Sequence, residues 1–331
     1  MTITILIMLI AALIIYFSSE LFVNGVEWFG KAFNIAQNAV GTILAAFGTA
    51  LPESVVTFIA VVFGTSSSQK DIGVGAALGG PLVLSTLAYA IVGISIILFS
   101  GKRKSGNCIN VNSARLARDQ VWFMGIFAFK VLLGLVAFSI KPWLGFLFLA
   151  AYALYFYREI SAETETSEDE LEPLKFCPKL KNPPKSMIII QTLFALILIF
   201  VGSQLFVHNL ESLSISLGMS PRLVSLLLSP IATELPEILN ALIWVRQGKE
   251  NLALANISGS MMIQATVPSA LGIFFTPWLF DKPLILSAVI TFIAIISIWI
   301  NLKRHCISAK KLSINAIFYV VFIVGIIIIK G

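Results

Sequence analysis

Ten apolar runs divided by short polar stretches fill most of a 331-residue chain, near 3–28, 36–63, 72–99, 120–139, 142–158, 187–208, 214–245, 251–274, 283–301 and 312–330. A helix needs ~20 mainly apolar residues to cross the hydrocarbon layer, where each peptide group must be hydrogen-bonded within the protein. Composition agrees: 58% of residues are hydrophobic and 12% charged, whereas a soluble domain carries about a quarter charged residues. The expected fold is all-α and integral to the membrane, with about ten transmembrane helices. The first run is read as a helix and not as a signal peptide, because no Lys or Arg precedes Lys31 to form a positive leader region.

The formal net charge of +6 reports orientation more than partners, so the bilayer is the expected partner and nucleic acid is not. If the runs alternate across the membrane, the loops after runs 1, 3, 5, 7 and 9 share one side and hold 17 of the 23 Lys and Arg. The other side holds Lys70, Lys141, Arg222, Lys282 and Lys330, with Lys130 inside a run. The bias predicts a multi-pass cell-membrane protein with both termini outside and the basic loops in the cytoplasm. Cys108, Cys177 and Cys306 then fall on the reducing side, and their isolation excludes a zinc or disulfide framework.

The longest polar stretch, acidic and then basic with prolines, reads as a flexible cytoplasmic linker over 159–186. It divides a first five-helix unit, 1–158, from a second, 187–331. The two units are copies. Ser19, Leu21, Phe22, Val23 and Glu27 match Ser203, Leu205, Phe206, Val207 and Glu211 at a shift of 184, which also carries Thr49, Leu51, Pro52 and Glu53 onto Thr233, Leu235, Pro236 and Glu237. A shift of 180 pairs the Gly-Ala run ending at Gly79 with that ending at Gly259. Five is odd, so the second copy enters the membrane from the opposite face: the repeats are inverted, which is an architecture of transporters.

The strongest chemical signal is a carboxylate in mid-run directly after a proline, Glu53 and again Glu237. A charge at the bilayer centre costs ~2.5–3.5 kcal/mol, and bound cations offset that cost. Pro52 and Pro236 lack an N–H, which frees the carbonyls near Gly48 and Ala232. Carboxylates, Thr hydroxyls and freed carbonyls form the hard-oxygen set that Na⁺, Ca²⁺ or Mg²⁺ prefers. Glu20, Glu27, Glu211 and His208 lie toward segment ends and read as interfacial. His305 lies in a basic loop. Lys130 either snorkels or pairs with a carboxylate, and the sequence does not choose.

Gly48-Thr49-Ala50-Leu51-Pro52-Glu53 and Ala232-Thr233-Glu234-Leu235-Pro236-Glu237, each followed by a Gly-rich segment, resemble the α-repeats of the cation/calcium exchanger superfamily, particularly prokaryotic sodium/calcium exchangers. The resemblance covers nearly the whole chain. It implies that Glu53, Glu237, Thr49, Thr233 and Ser260 coordinate transported ions, and that two long tilted helices slide across the core to alternate access. Where the family usually has Ser after Thr, this chain has Ala50 and Glu234. Where the family has Gly-Ser-Asn and then Asn or Asp, it has Gly79-Gly80-Pro81 with Leu84, and Gly259-Ser260-Met261 with Gln264. Glu234 is expected to supply the negative charge that Gln264 lacks.

The implied function is secondary antiport, Na⁺-driven exchange of Ca²⁺ by alternating access at a midplane carboxylate site. A proton-coupled or other divalent-cation exchanger and a non-transporting ion sensor are the alternatives. P-loop, HExxH and GxSxG motifs are absent, so no ATP-driven pump or intramembrane enzyme is expected, and no cofactor beyond the transported ions.

Overall fold

The computed structural model describes residues 2–35, 39–64, 67–99, 108–109, 111–161, 171–216, 226–227, 229–304 and 307–330. In chain order the helices are α1 (Thr2–Ala32), α2 (Val40–Thr49, π-wound over Val40–Ala45), α3 (Leu51–Phe58, running on as a π-turn over Ile59–Phe63), α4 (Ser67–Val83) and, after a π-turn over Leu84–Ala88, α5 (Tyr89–Leu98). Then come α6 (Ser113–Leu135), α7 (Gly145–Ile160), α8 (Lys185–Ser216), α9 (Ser229–Thr233), α10 (Leu235–Arg246), α11 (Glu250–Phe275), α12 (Lys282–Leu302), α13 (Ala309–Ile314) and α14 (Ala316–Lys330). Each of the ten apolar runs holds helix. Among the described residues six stretches are individually long and apolar enough to cross a membrane: Thr2–Ala32, Lys70–Leu98, Lys185–Phe206, Glu250–Phe275, Lys282–Leu302 and Ala309–Ile329. The others are shorter or broken by turns.

Several boundaries move from the sequence expectation, three of them by seven residues or more. The fourth run starts at Ser113 instead of 120, because the Asn112 side chain accepts from Arg115 N at 3.2 Å and caps the helix seven residues earlier. The sixth extends to Ser216, since neither Gly nor Pro falls between its expected end at 208 and Gly218. The seventh run, expected from 214, shares 214–216 with α8, is π-helical at 226–227 and helical again from Ser229; residues 217–225 and 228 lie outside the described residues.

α1 and α8, the first helices of the two repeats, are 31 and 32 residues long. At 1.5 Å per residue each spans ~46–48 Å, well beyond a ~30 Å core, so both cross at a tilt. They lie against each other, and the approach needs small residues: a Cβ on Gly25 would stand 2.6 Å from Thr192 Oγ1. The inner layer is α2–α5 and α9–α11, with α11 buried along nearly its whole length.

At one end of the molecule the loops after runs 1, 3, 5, 7 and 9 come together, as alternate crossing requires. Glu20 pairs with Arg246 at 2.8 Å, and Glu27 pairs with Lys249 while accepting from Trp244 Nε1 at 2.8 Å. These contacts make both acids structural links between α1 and the end of α10. Cys108–Ile109 (β1) pairs antiparallel with Ile307–Ser308 (β2), joining two basic loops. The linker is not uniformly flexible. Its second half is fastened: Trp28 Nε1 and Asn24 Nδ2 donate to the Glu172 carbonyl, Gln191 accepts from Phe176 N, and Leu174 is fully buried. Its acidic part, 162–170, lies outside the described residues.

Glu159, 1% exposed, ties three helices at this end. It accepts from Arg115 at 2.7 and 3.2 Å, from Arg118 at 3.4 Å and from Thr42 Oγ1 at 3.1 Å. Removing one member of such a buried set strands the remaining charge, at a cost of about 3–5 kcal/mol. Glu159→Ala is therefore expected to lower the melting temperature in detergent by several degrees, read by tryptophan fluorescence on heating, while Glu172→Ala at the exposed Lys175 pair changes it little.

Candidate functional site

The duplicated Pro-Glu motifs produce the same local backbone twice. In the first copy α2 ends at Thr49, Ala50 turns at φ −76°, ψ −3°, and α3 begins at Leu51. In the second, α9 ends at Thr233, Glu234 turns at φ −87°, ψ 1°, and α10 begins at Leu235. The flanking hydrogen bonds match: Ala50 N to Ala46 O and Ser54 N to Ala50 O in one copy, Glu234 N to Pro230 O and Ile238 N to Glu234 O in the other, all between 2.9 and 3.1 Å. The cause is chemical. Pro52 and Pro236 have no N–H, so the helix loses a rung at the same step in each repeat, and the Gly48 and Ala232 carbonyls lose their usual donor.

These breaks bring the motifs together crosswise. Thr233 of the second repeat stands against Glu53 of the first, and Thr49 of the first against Glu237 of the second. Ser260 Oγ donates to Glu237 Oε1 at a long 3.5 Å. Exchange of partners between copies is what a pseudo-two-fold axis through the site generates. All seven residues singled out from the sequence are buried: Glu53 at 2%, Thr233 at 1%, and Thr49, Glu234, Glu237, Ser260 and Gln264 at 0% exposure.

The hydroxyl bonding is informative. Thr49 Oγ1 donates to Ala45 O at 3.0 Å and Thr233 Oγ1 to Pro230 O at 3.3 Å. A hydroxyl has one hydrogen, so each threonine shares it between that backbone carbonyl and the carboxylate of the other repeat, both of which lie within hydrogen-bonding reach. Glu53 Oε1, Glu237 Oε2 and Glu234 Oε2 have no hydrogen-bond partner. Unpartnered carboxylate oxygens in an apolar interior call for something positive beside them, a cation or a proton.

Glu234 joins Glu53 and Glu237 within Coulombic reach. Gln264 Nε2 donates to Glu234 Oε1 at 2.6 Å, so the two departures from the family pattern in the second repeat are in contact. Both press on Gly80, where a Cβ would stand 2.6 Å from Gln264 Oε1 and 3.1 Å from Glu234 Oε1. The matching positions of the first copy, Ala50 and Leu84, are buried and apolar. The site is lopsided, richer in oxygen on the second-repeat side. Among the described residues no three carboxylate, imidazole or thiol groups sit close enough to hold one metal ion by themselves. Any ion bound here would draw on hydroxyl, amide and carbonyl oxygens as well.

Three polar residues escaped the sequence reading. Thr57, Asn240 and Asn256 are fully buried, and the Thr57 hydroxyl and both amide atoms of each asparagine lack partners. Each sits one helical turn from a named residue: Thr57 from Glu53, Asn240 from Glu237, Asn256 from Ser260. The signal was present as polar residues at i+4, i+3 and i−4 on otherwise apolar helices, but it is not repeated between the copies.

Two inverted five-helix repeats whose broken helices present buried carboxylates to one another define a secondary cation transporter, not an enzyme. The sodium/calcium exchanger protein family model matches residues 3–160 and 187–329, and the chain belongs to that family. It is 25% identical over 280 residues to a putative antiporter, CaxA, of Alkalimonas amylolytica, covering 82% of this chain and 81% of that one. It is also 25% identical over 277 residues to the inner membrane protein YrbG of Escherichia coli, covering 82% and 79%. Its fold matches the sodium-calcium exchanger NCX_Mj with a TM-score of 0.76 at 20% identity, over 98% of this chain and 99% of that one. The score is the same for NCX_Mj soaked with 100 mM Na⁺ and 10 mM Sr²⁺ and with zero Na⁺ and Ca²⁺, and 0.73 for soaks with Sr²⁺ and less Na⁺.

Proposed function

We propose that the protein exchanges Na⁺ for Ca²⁺ across the membrane, binding the ions alternately at Glu53, Glu237, Thr49, Thr233 and Ser260, with Glu234 as a third carboxylate held by Gln264. The observation that carries this is the crossed pairing of Glu53 with Thr233 and Glu237 with Thr49, which sets buried carboxylates and hydroxyls of opposite repeats together. Oxygen-only donors of mixed type suit hard cations such as Na⁺ and Ca²⁺ over softer metals. Membership of the sodium/calcium exchanger family supports the choice of ions. Residues 1–158 and 187–331 would form the two moving repeats, with the 159–186 linker and the basic loops cytoplasmic and both termini outside, as the Lys and Arg distribution favours.

A second reading is favoured by Glu234, which places a third acid three residues from Glu237 where the first repeat has Ala50. A proton neutralises such a cluster as a cation does, so proton-coupled exchange uses the same geometry. One experiment separates the two. In proteoliposomes, uptake of radioactive Ca²⁺ is measured under an outward Na⁺ gradient and, separately, under an outward H⁺ gradient. Uptake that follows Na⁺ and is indifferent to the proton gradient is the expected result. Uptake that follows H⁺ alone moves the assignment to proton coupling, and no Ca²⁺ flux under either gradient overturns calcium as the substrate.

A further inference from the structure

Lys130 lies on α6 with 0% exposure. It neither snorkels nor meets an acid: among the described residues no carboxylate stands within ion-pair distance of Nζ, and no charged group acts on it. The ammonium instead donates to the Ala77 carbonyl at 2.9 Å and to Ser269 Oγ at 3.2 Å, with the Phe127 ring centroid 4.8 Å away.

Both acceptors trace to prolines. Pro81 in α4 lacks an N–H, which leaves the Ala77 carbonyl, four residues back, without its helical donor. Pro268 in α11 does the same to the Gln264 carbonyl, and Ser269 Oγ supplies the missing donor at 3.2 Å. Having given up its hydrogen, Ser269 Oγ offers lone pairs to Lys130. A freed carbonyl, a hydroxyl oxygen and an aromatic face form a neutral pocket suited to a monovalent cation.

The pocket is also wired to the carboxylates. Lys130 Nζ bonds Ser269, Ser269 bonds the Gln264 carbonyl, and the Gln264 side chain bonds Glu234. Neither end of this chain has a mate in the other repeat. Glu234 corresponds to Ala50, and α12, the counterpart of α6, has no charged residue between Lys282 and Lys303. One unmatched negative and one unmatched positive charge thus flank Gln264, the first at its side chain and the second, through Ser269, at its backbone carbonyl.

We propose that Ala77, Ser269 and Phe127 form a monovalent-cation subsite permanently filled by the protein's own Lys130 ammonium. Removing the side chain should leave a vacancy that a free small cation can enter. The test compares the parent, Lys130→Ala and Lys130→Arg in detergent by melting temperature, replacing N-methylglucamine chloride with methylammonium or sodium chloride at constant ionic strength. Lys130→Ala should melt below the parent and recover by about 3 °C or more with methylammonium, while the parent and Lys130→Arg gain nothing from it. A Lys130→Ala protein as stable as the parent, or one whose loss is indifferent to every small cation, overturns the proposal. If the alanine variant cannot be recovered in any salt, Lys130→Gln decides, since it keeps a donor and most of the volume without the charge. Parity with the parent then sinks the idea, and a loss not shared by Lys130→Arg sustains it. The readout is independent of flux, so this subsite and the calcium assignment can fail separately.

Discussion

Glu237→Gln is expected to cut Na⁺-driven Ca²⁺ uptake by at least about a hundredfold, and Glu53→Gln to do the same, with both proteins still folded. The amide is nearly isosteric, so packing survives and what is removed is charge. One unit of charge 4 Å from another is worth about 4 kcal/mol at an effective dielectric of 20, and a divalent ion doubles the loss. Even after relaxation returns much of that, about 2.7 kcal/mol remains as a conservative figure, equivalent to two decades. The crossed geometry adds that the two variants should fail alike, because each carboxylate is met by the other repeat's threonine. Initial uptake rates, read beside gel-filtration profiles and melting temperatures, check both parts. A variant that transports normally removes its carboxylate from the ion path, and a strongly unequal pair would show that the second-repeat side, with Glu234 and Gln264, carries the ion alone.

The fold was legible in the sequence where physics leaves few options. A bilayer demands long apolar helices, so the ten segments could be read from hydropathy, and the shift of 184 between the Pro-Glu motifs revealed the inverted repeat. The cross-pairing of Thr49 with Glu237 and Thr233 with Glu53 was not legible, because both motifs carry the same Thr, Leu, Pro and Glu at the same spacing and only three dimensions show which copy faces which. Asn240, Thr57 and Asn256 were missed because the repeat, which drew attention to Glu53 and Glu237, does not include them. Lys130 was open between a snorkelling group and an ion-pair partner. Its real partners are a backbone carbonyl and a serine hydroxyl, and a freed carbonyl on another helix leaves no side-chain signature beyond the proline four residues later. The linker misled for a related reason: its composition is that of a mobile segment, yet Leu174 and the Asn24, Trp28 and Gln191 side chains fasten its second half to α1 and α8.

Gly259→Ala should be among the most destabilising single substitutions in the chain, although alanine is the better helix former. Gly259 lies in mid-α11, immediately before Ser260, where that helix crosses α2. A Cβ there would stand 2.1 Å from the Thr42 carbonyl oxygen and 2.6 Å from its carbon and Cα. Those atoms are backbone, and they belong to the π-wound start of α2, which leads into the first Pro-Glu break, so no side chain can swing aside to make room. The helix propensity gained by replacing glycine is about 1 kcal/mol. Overpacking costs 1–3 kcal/mol even where neighbours can adjust, and here the backbone of α2 itself must shift. The expected outcome is a loss of about 3 kcal/mol or more, seen as a large drop in melting temperature or in recoverable folded protein, with the site displaced along with α2. Gly125 on α6 supplies the control: a Cβ there meets nothing within 4 Å, so Gly125→Ala should be neutral or slightly stabilising. If the two variants melt together, close contact between the repeats at Gly259 is not what holds Thr49 and Ser260 beside Glu237. The crossed arrangement of the site would then need another source of rigidity.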